Sequence, residues 1–566
     1  MSNSSLAAVA LTVGGTGTST YTGVLSDVGS LVKTGTGTLN LTNAETYTGT
    51  TNVNAGNLVL TGSIGSSTTP AGAVSATNGG TLTITGGSIT AASMTEGAIG
   101  STIILNSGSI TLSGALSLNS GTSEQSTGGS VRLLGGTTTV NSVAIGRTGD
   151  NFGTTIQTST PTNDDLYVNG GTLNITTTLG IGTASGTNSS AVFHLDSGTV
   201  TVGGLTTITD NNTRYSVLDI NGGTFTSNDT SGVGIQVGGN YASAAAELLV
   251  RGGVLNTPAI TMGDSTGVQG STATGFNTIE LLGGTTYIGS GGIVIATPSA
   301  VSSTVTNAVN VGGTAYATAP IVAASASWST AVGMTLTNSS TSVAPIFQAA
   351  DSGGVGHDIT LNGVLSGTGG LTKTGAGKLI LNGNNTYSGV TTISNGTLVL
   401  GNNSALSAST NVNMNGGKLA VSTTTPIQEG GLASPGIGTL TLSVSSSIDY
   451  GAGNTNSAQL YFANSSAVSW TSGTVLSIYN WVSTPDPSTS STVLFFGTDD
   501  NGLTGSQLSQ IYFYSDNGSH FLGIGTFTGT GFGELTYLAV PEPTTGALAL
   551  AGTAMMFFVR RRRKVC

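Results

Sequence analysis

Small glycine corners recur along this chain at a spacing that few folds accommodate. They read Asn78-Gly79-Gly80, Asn106-Ser107-Gly108, Gly135-Gly136-Thr137, Asn169-Gly170-Gly171, Asp196-Ser197-Gly198, Asn221-Gly222-Gly223, Arg251-Gly252-Gly253, Leu282-Gly283-Gly284 and Val311-Gly312-Gly313, mostly 25 to 35 residues apart. A fixed period of that size is the mark of a stacked-coil architecture. Each interval has room for about three short strands, as in Val131-Arg132-Leu133-Leu134 and Leu166-Tyr167-Val168 before the glycines and Thr172-Leu173-Asn174-Ile175 after them. Asn-Gly and Gly-Gly supply the positive φ of a sharp corner, while Leu, Val and Ile on one face of each strand fill an interior. A sandwich or barrel would instead place hairpin turns every ~8 to 12 residues; such turns also occur, so a hairpin-built fold is the alternative. The longer period favours an all-β parallel β-helix over residues 23–430. At about 4.8 Å per coil, roughly 14 coils would extend for about 70 Å, with Thr, Ser and Asn forming ladders on the outer faces.

Two segments repeat more closely. Lys33-Thr-Gly35-Thr-Gly37-Thr-Leu-Asn-Leu, then Thr46-Tyr47-Thr48-Gly49-Thr50-Thr51 and Gly56-Asn57-Leu58-Val59-Leu60, returns 340 residues later. The second copy reads Lys373-Thr-Gly375-Ala-Gly377-Lys-Leu-Ile-Leu, Thr386-Tyr387-Ser388-Gly389-Val390-Thr391 and Gly396-Thr397-Leu398-Val399-Leu400. Both closely resemble the autotransporter-associated β-strand repeat. The resemblance implies coils of a right-handed parallel β-helix, at about residues 31–60 and 371–400, in the manner of secreted passenger regions.

The C-terminus carries a different signal. Val540-Pro541-Glu542-Pro543 leads into an apolar run containing Ala547, Leu548, Leu550, Met555, Phe557, Phe558 and Val559, which stops at Arg560, Arg561, Arg562, Arg563 and Lys564. A basic cluster beside an apolar run stays on the cytoplasmic side. About 13 to 16 apolar residues are marginal against a hydrocarbon core of roughly 30 Å, so the apolar helix expected from Ala547 to Val559, within the signal at 540–566, is a weak and temporary membrane anchor. The three-part tail resembles the PEP-CTERM sorting signal. That resemblance implies export, transient retention in the inner membrane and processing by an exosortase-type enzyme, followed by display on the cell surface or release. Residues 1–22, in which Met1 to Gly15 holds no Lys or Arg and only Leu6 to Val13 is apolar, are expected to be a leader remnant or a first coil.

Charge and composition narrow the function classes. The chain has 89 Gly and only 7% charged residues, yet 37% hydrophobic residues in alternating runs, so it is neither an average enzyme nor a disordered chain. Outside the five-residue basic end there are 8 Lys+Arg against 24 Asp+Glu, a net charge of −16 that repels nucleic acid. The single cysteine, Cys566, excludes an internal disulfide; stacking stabilises a solenoid without one. From Gly431 to Val540 the chain holds 15 of its 31 aromatic residues, including Trp470, Trp481, Phe495, Phe496, Tyr512, Phe513 and Tyr514. That stretch, 431–539, is expected to be a β cap covering the last coil, with an aromatic sugar-binding platform as the alternative.

Catalytic signatures are sparse. His194, His357 and His520 lack metal-ligand spacing, Asp499-Asp500-Asn501-Gly502 lacks the spacing of a calcium loop, and no nucleophile or phosphate-loop motif occurs. No metal or cofactor is expected. His194 is expected at an exposed strand position, and Arg132 and Arg251 at corners too far apart to share a site. The expected function is therefore a non-catalytic exported structural protein, adhesin-like or part of an extracellular matrix, with extracellular polysaccharide as a candidate partner. A β-helix polysaccharide lyase or hydrolase, or a carbohydrate-binding protein, is the alternative; glycoside hydrolysis would need paired carboxylates.

Overall fold

The computed structural model describes residues 8–97, 100–119, 130–146, 166–182, 191–208, 215–238, 245–263, 276–296, 306–407, 410–431, 434–452, 458–482 and 492–539. Two compact units divide the chain, Met1–Thr391 and Thr392–Cys566.

In the first unit successive coils stack strand on strand in parallel, the organisation of a β-helix solenoid. Ala191–Val202 pairs along its first half with Tyr215–Ile220 and along its second with Thr224–Ser227, while Thr206–Ile208 pairs with Ile235–Val237. Three strand rows thus run through the unit. Across residues 78 to 290 the strand pairings among the described residues are parallel, so the hairpin alternative falls. Residues 8–22 contribute Ala10–Val13 and Thr18–Tyr21, which pair with Ser30–Lys33 and Thr38–Leu41.

Register explains the core. Leu166, Phe193, Leu218, Leu248, Ile279 and Val309 fall in one column of consecutive coils, and all six are buried. Each such side chain contributes about 1.5–3 kcal/mol when taken from water. Because inward positions alternate with outward ones, a slip of one residue would expose the column, which holds the coils in register. Outward positions form the expected ladders: Ser75 Oγ donates to Asn52 Oδ1 at 2.9 Å, Thr77 Oγ1 to Asn54 Oδ1 at 2.9 Å and Asn382 Nδ2 to Asn362 Oδ1 at 2.8 Å. Coil length varies more than the glycine spacing suggests. In the first long repeat, Leu41 pairs with Leu60, only 19 residues on, whereas Val131 pairs with Leu166, 35 residues on.

The second unit is built the same way. Thr397–Leu400, Lys418–Val421, Ser446–Asp449, Leu476–Tyr479 and Ile511–Tyr514 form one parallel row, and Ile427–Gly431, Ala458–Phe462 and Val493–Phe496 another. Parallel stacking therefore continues through much of the aromatic-rich stretch. Phe521–Phe527 then pairs antiparallel with Ile511–Tyr514, and Leu535–Ala539 with Phe521–Phe527, covering an edge that would otherwise be open. Phe462 stacks on Phe496 in the next coil, centroids 5.1 Å apart, and both are fully buried. Among the described residues no helix is long and apolar enough to cross a membrane. The expected membrane helix, with Ala547 through Val559, lies outside the described residues.

Candidate functional site

The repeat motif builds coil corners from the inside. Lys33 and Lys373 are buried, and their ammonium groups donate to backbone carbonyls. Lys33 Nζ lies 2.8 Å from Thr34 O, 2.9 Å from Gly35 O and 3.2 Å from Ala55 O; Lys373 Nζ lies 2.6 Å from Thr374 O and 2.8 Å from Gly375 O. A lysine whose donors face such carbonyls serves the turn beside it. Burial, opposed by Asp358, pushes Lys373 down to about 8, and burial also lowers Lys33. Tyr47 and Tyr387, both fully buried, share hydrogen bonds with Thr51 and, at 2.6 Å, with Thr391.

Three glycine pairs show why the motif tolerates no side chain there. Gly35 and Gly375 adopt φ of 70° and 76°, and a Cβ on Gly37 or Gly377 would stand 2.1 Å from Gly17 O or 2.4 Å from His357 O. Gly49 and Gly389 are equally confined, by Gly29 O at 2.2 Å and Gly370 N at 2.3 Å. A feature the motif reading missed lies two residues before each tyrosine. Glu45 accepts from Leu25 N, and Asn385 Oδ1 accepts from Leu365 N at 2.8 Å, each reaching 20 residues back to the preceding coil. Glu429 in the second unit does the same for Leu406 N at 3.2 Å. Burial raises Glu45, against the Leu25 hydrogen bond; it raises Glu429 to about 7, against backbone N–H donors of Leu406 and Ala405.

Charged side chains meet on the outer face of the first unit. Arg132, Tyr167, His194 and Asp219 occupy one outward register column, although 87 residues separate the first from the last. The Arg132 guanidinium carbon lies 5.1 Å from the Tyr167 ring centroid, and that ring stacks on His194 at 5.4 Å. His194 places Nδ1 2.8 Å from Asp219 Oδ2 and Nε2 2.7 Å from Asp196 Oδ1. An imidazole satisfies two carboxylates at once only with a proton on each nitrogen. Arg251 Nε donates to Asp219 Oδ1 at 2.9 Å, and its second donor reaches Asp219 Oδ2. Tyr167 Oη and Asn221 Nδ2 donate to Asp196 at 2.7 and 2.9 Å. Burial pushes Asp196 up, but the bonds from Tyr167, Asn221 and His194 prevail and hold it below the usual carboxylate range.

This column corrects one expectation: the His194 side chain is only 14% exposed. Arg132 and Arg251 stand four coils apart, about 19 Å at the spacing of stacked strands, and do not meet; Tyr167, His194 and Asp219 fill the interval, because equal strand offsets stack residues that sequence separation keeps apart. Nearby, burial and then Glu280, opposed by Arg251, push Glu247 up to about 8. Chemically, the column is occupied with itself: a general base needs an acceptor lone pair, and both His194 nitrogens already face carboxylates. His357 lies 3.6 Å from Asp351, and His520 pairs with Asp516. At the Asp499-Asp500 turn, Asp500 accepts from Gly531 N and Gly533 N, both at 3.2 Å. Among the described residues no group of three or more His, Cys, Asp or Glu is placed to hold a metal ion.

The sorting residues Val540, Pro541, Glu542, Pro543 and the basic Arg560–Lys564 end lie outside the described residues, beyond Ala539. Comparison with known families supplies what geometry does not. The passenger-associated transport repeat matches residues 31–60 and 371–400, and the PEP-CTERM protein-sorting motif matches residues 539–564. No curated protein and no solved structure matches the chain. The motif implies processing by an exosortase, a membrane enzyme, and with the repeats it indicates an exported protein at the cell surface or secreted. This chain carries two passenger-associated transport repeats on a parallel β fold and a PEP-CTERM signal that sorts it through its C-terminus.

Proposed function

We propose that this is a non-catalytic structural protein of the cell exterior, adhesin-like or a component of an extracellular matrix. In this reading right-handed coils form an extended scaffold. The tail, Ala547–Val559 with its basic end, holds the chain in the inner membrane until exosortase acts near Pro541-Glu542-Pro543. The observation that carries the reading is how the sparse charge is spent: Lys33 and Lys373 serve corner carbonyls, and His194, Asp196, Asp219 and Arg251 bind one another. Polar groups committed to joining coils strengthen a scaffold and leave little to act on a substrate.

A polysaccharide lyase or hydrolase is the second reading, favoured by the same outward column together with Glu247 and Glu280. Purified protein incubated with a panel of neutral and acidic polysaccharides, with and without calcium, separates the two. The scaffold reading expects no released products. Turnover abolished by His194→Ala or Glu247→Gln would overturn it.

A further inference from the structure

The aromatic residues of the second unit divide into two sets by the face they occupy. Ile448, Ile478 and Phe513 share an inward column, and Phe462, Phe496 and Phe513 are fully buried. Trp481 packs between Tyr450 and Phe513, at 5.7 and 4.8 Å. These rings fill the coil interior. Alternation sends the intervening residues outward: Tyr479 beside Asp449, and Tyr512 beside Ser477. Tyr514 is paired with Phe521 on the antiparallel strand.

Tyr479, Tyr512, Tyr514 and Phe521 form one continuous outward strip. Centroids lie 5.4 Å apart for Tyr479–Tyr514, 5.5 Å for Tyr514–Phe521 and 5.6 Å for Tyr512–Phe521. Phe521 is 44% exposed, and the three tyrosines are half-buried. The interior is filled without them, so the strip is unexplained by the core. A contiguous exposed aromatic patch with polar groups at its border marks a binding surface.

The border is polar and electrically balanced. Lys418 Nζ lies 5.6 Å from the Tyr479 ring centroid and 2.8 Å from Asp449 Oδ2. Asn480 Nδ2 donates to Asp449 Oδ1 at 2.7 Å and to Asn517 Oδ1 at 2.9 Å. Asp516 pairs with His520 a few residues further on. Flat rings beside amide, carboxylate and ammonium groups match one ligand chemistry well. A pyranose offers a C–H face that lies on a ring and an edge of hydroxyls that bonds to the border. Tyrosine is suited to such a face because it gives rigid amphipathic contact at small entropic cost.

We propose that this strip binds neutral polysaccharide, with the mutually inclined rings of Tyr479, Tyr514 and Phe521 as successive stacking faces and Lys418 and Asn517 as hydroxyl partners. The proposal rests on the scaffold reading above and names the ligand class for it. Charge selects neutral over acidic chains: Asp449 compensates Lys418, and the chain outside its basic end carries −16, which repels a polyanion.

Affinity electrophoresis of the full chain tests this, in gels containing hydroxyethylcellulose, dextran or soluble starch, with alginate and polygalacturonate as acidic counterparts. At least one neutral polymer should retard the protein, independently of salt, and the acidic ones should not. Tyr479→Ala and the pair Tyr514→Ala with Phe521→Ala should each weaken binding at least ~10-fold, about 1.4 kcal/mol. Tyr514→Phe, which keeps the ring, should bind within about threefold of the parent and controls for folding, as does an unchanged near-UV circular dichroism spectrum. No retardation by any neutral polymer, or retardation that survives replacement of all three platform rings, overturns the proposal. Salt-sensitive binding to alginate alone does so as well. None of these outcomes touches the scaffold reading, which fails only if products are released.

Discussion

Replacing Glu429 by Gln should remove a loss of stability that the second unit undergoes as pH rises from acid to neutral. Glu429 is 1% exposed, stands between Ile427 and Gly431 on an inward strand position and accepts from Leu406 N. Burial raises its carboxyl from an ordinary 4.5 to about 7. A raised carboxyl binds its proton more tightly in the folded chain. Its contribution is therefore complete below pH 4.5 and is lost as pH rises through 7. A shift of roughly 2.5 units corresponds to about 3 kcal/mol once both states are ionised. Glutamine keeps one acceptor, for Leu406 N, gives up the one facing Ala405 N at a cost that does not vary with pH, and never ionises, so the pH-dependent loss should vanish. Urea unfolding followed by the fluorescence of Trp470 and Trp481, in a Trp328→Phe background, reads the second unit, and the parent-minus-variant difference cancels other titrating groups. The difference should move in the variant's favour by about 3 kcal/mol between pH 4 and pH 8, most of it between 5 and 7.5. A flat difference curve, or one that moves in the parent's favour as pH rises, would refute the reasoning.

Gly377→Ala should cost about 1–3 kcal/mol by overpacking, since the new Cβ meets His357 O at 2.4 Å and Ala349 O at 2.7 Å. Gly17→Ala, with nothing within 4 Å, should stay within about 0.5 kcal/mol; equal effects in thermal unfolding would remove the steric account. C-terminal mass spectrometry of extracellular protein from its native host should find a mature chain ending near Pro541-Glu542-Pro543. Recovery of protein ending at Cys566 would count against sorting by exosortase.

The parallel fold was legible because its signal is a period. Glycine corners such as Asn169-Gly170-Gly171 and Asn221-Gly222-Gly223 place the chain in three strand rows without reference to distant residues. The long repeats were legible as a motif, but their coil length was not. The coil from Leu41 to Leu60 is shorter than the glycine spacing suggests. Glu45 went unread for a different reason. Its role appears only when it is set beside Asn385, and an acid and an amide look unlike each other until both are seen accepting an N–H from the coil before.

The outward charged column shows where linear reading stops in a stacked fold. Arg132, Tyr167, His194 and Asp219 are neighbours because coils of 35, 27 and 25 residues bring the same strand position around. Unequal coil lengths hide the column from any search at fixed spacing. Aligning the coils on their corner glycines would have recovered it: Arg132 stands three residues before Gly135, Tyr167 three before Gly170 and His194 three before Ser197, while Asp219 stands three before Gly222. The corner is thus the natural origin of coordinates in this chain, since its backbone is held by the coil beneath it while the loops elsewhere absorb changes in length. Counted from that origin, side chains far apart in sequence fall into columns, and each column succeeds or fails as a unit. By this reasoning Arg251, which stands one position before Gly252 and reaches back to Asp219, ties two columns together. That makes it a better target than any single aspartate for asking whether the outer face stabilises the coils or serves a ligand.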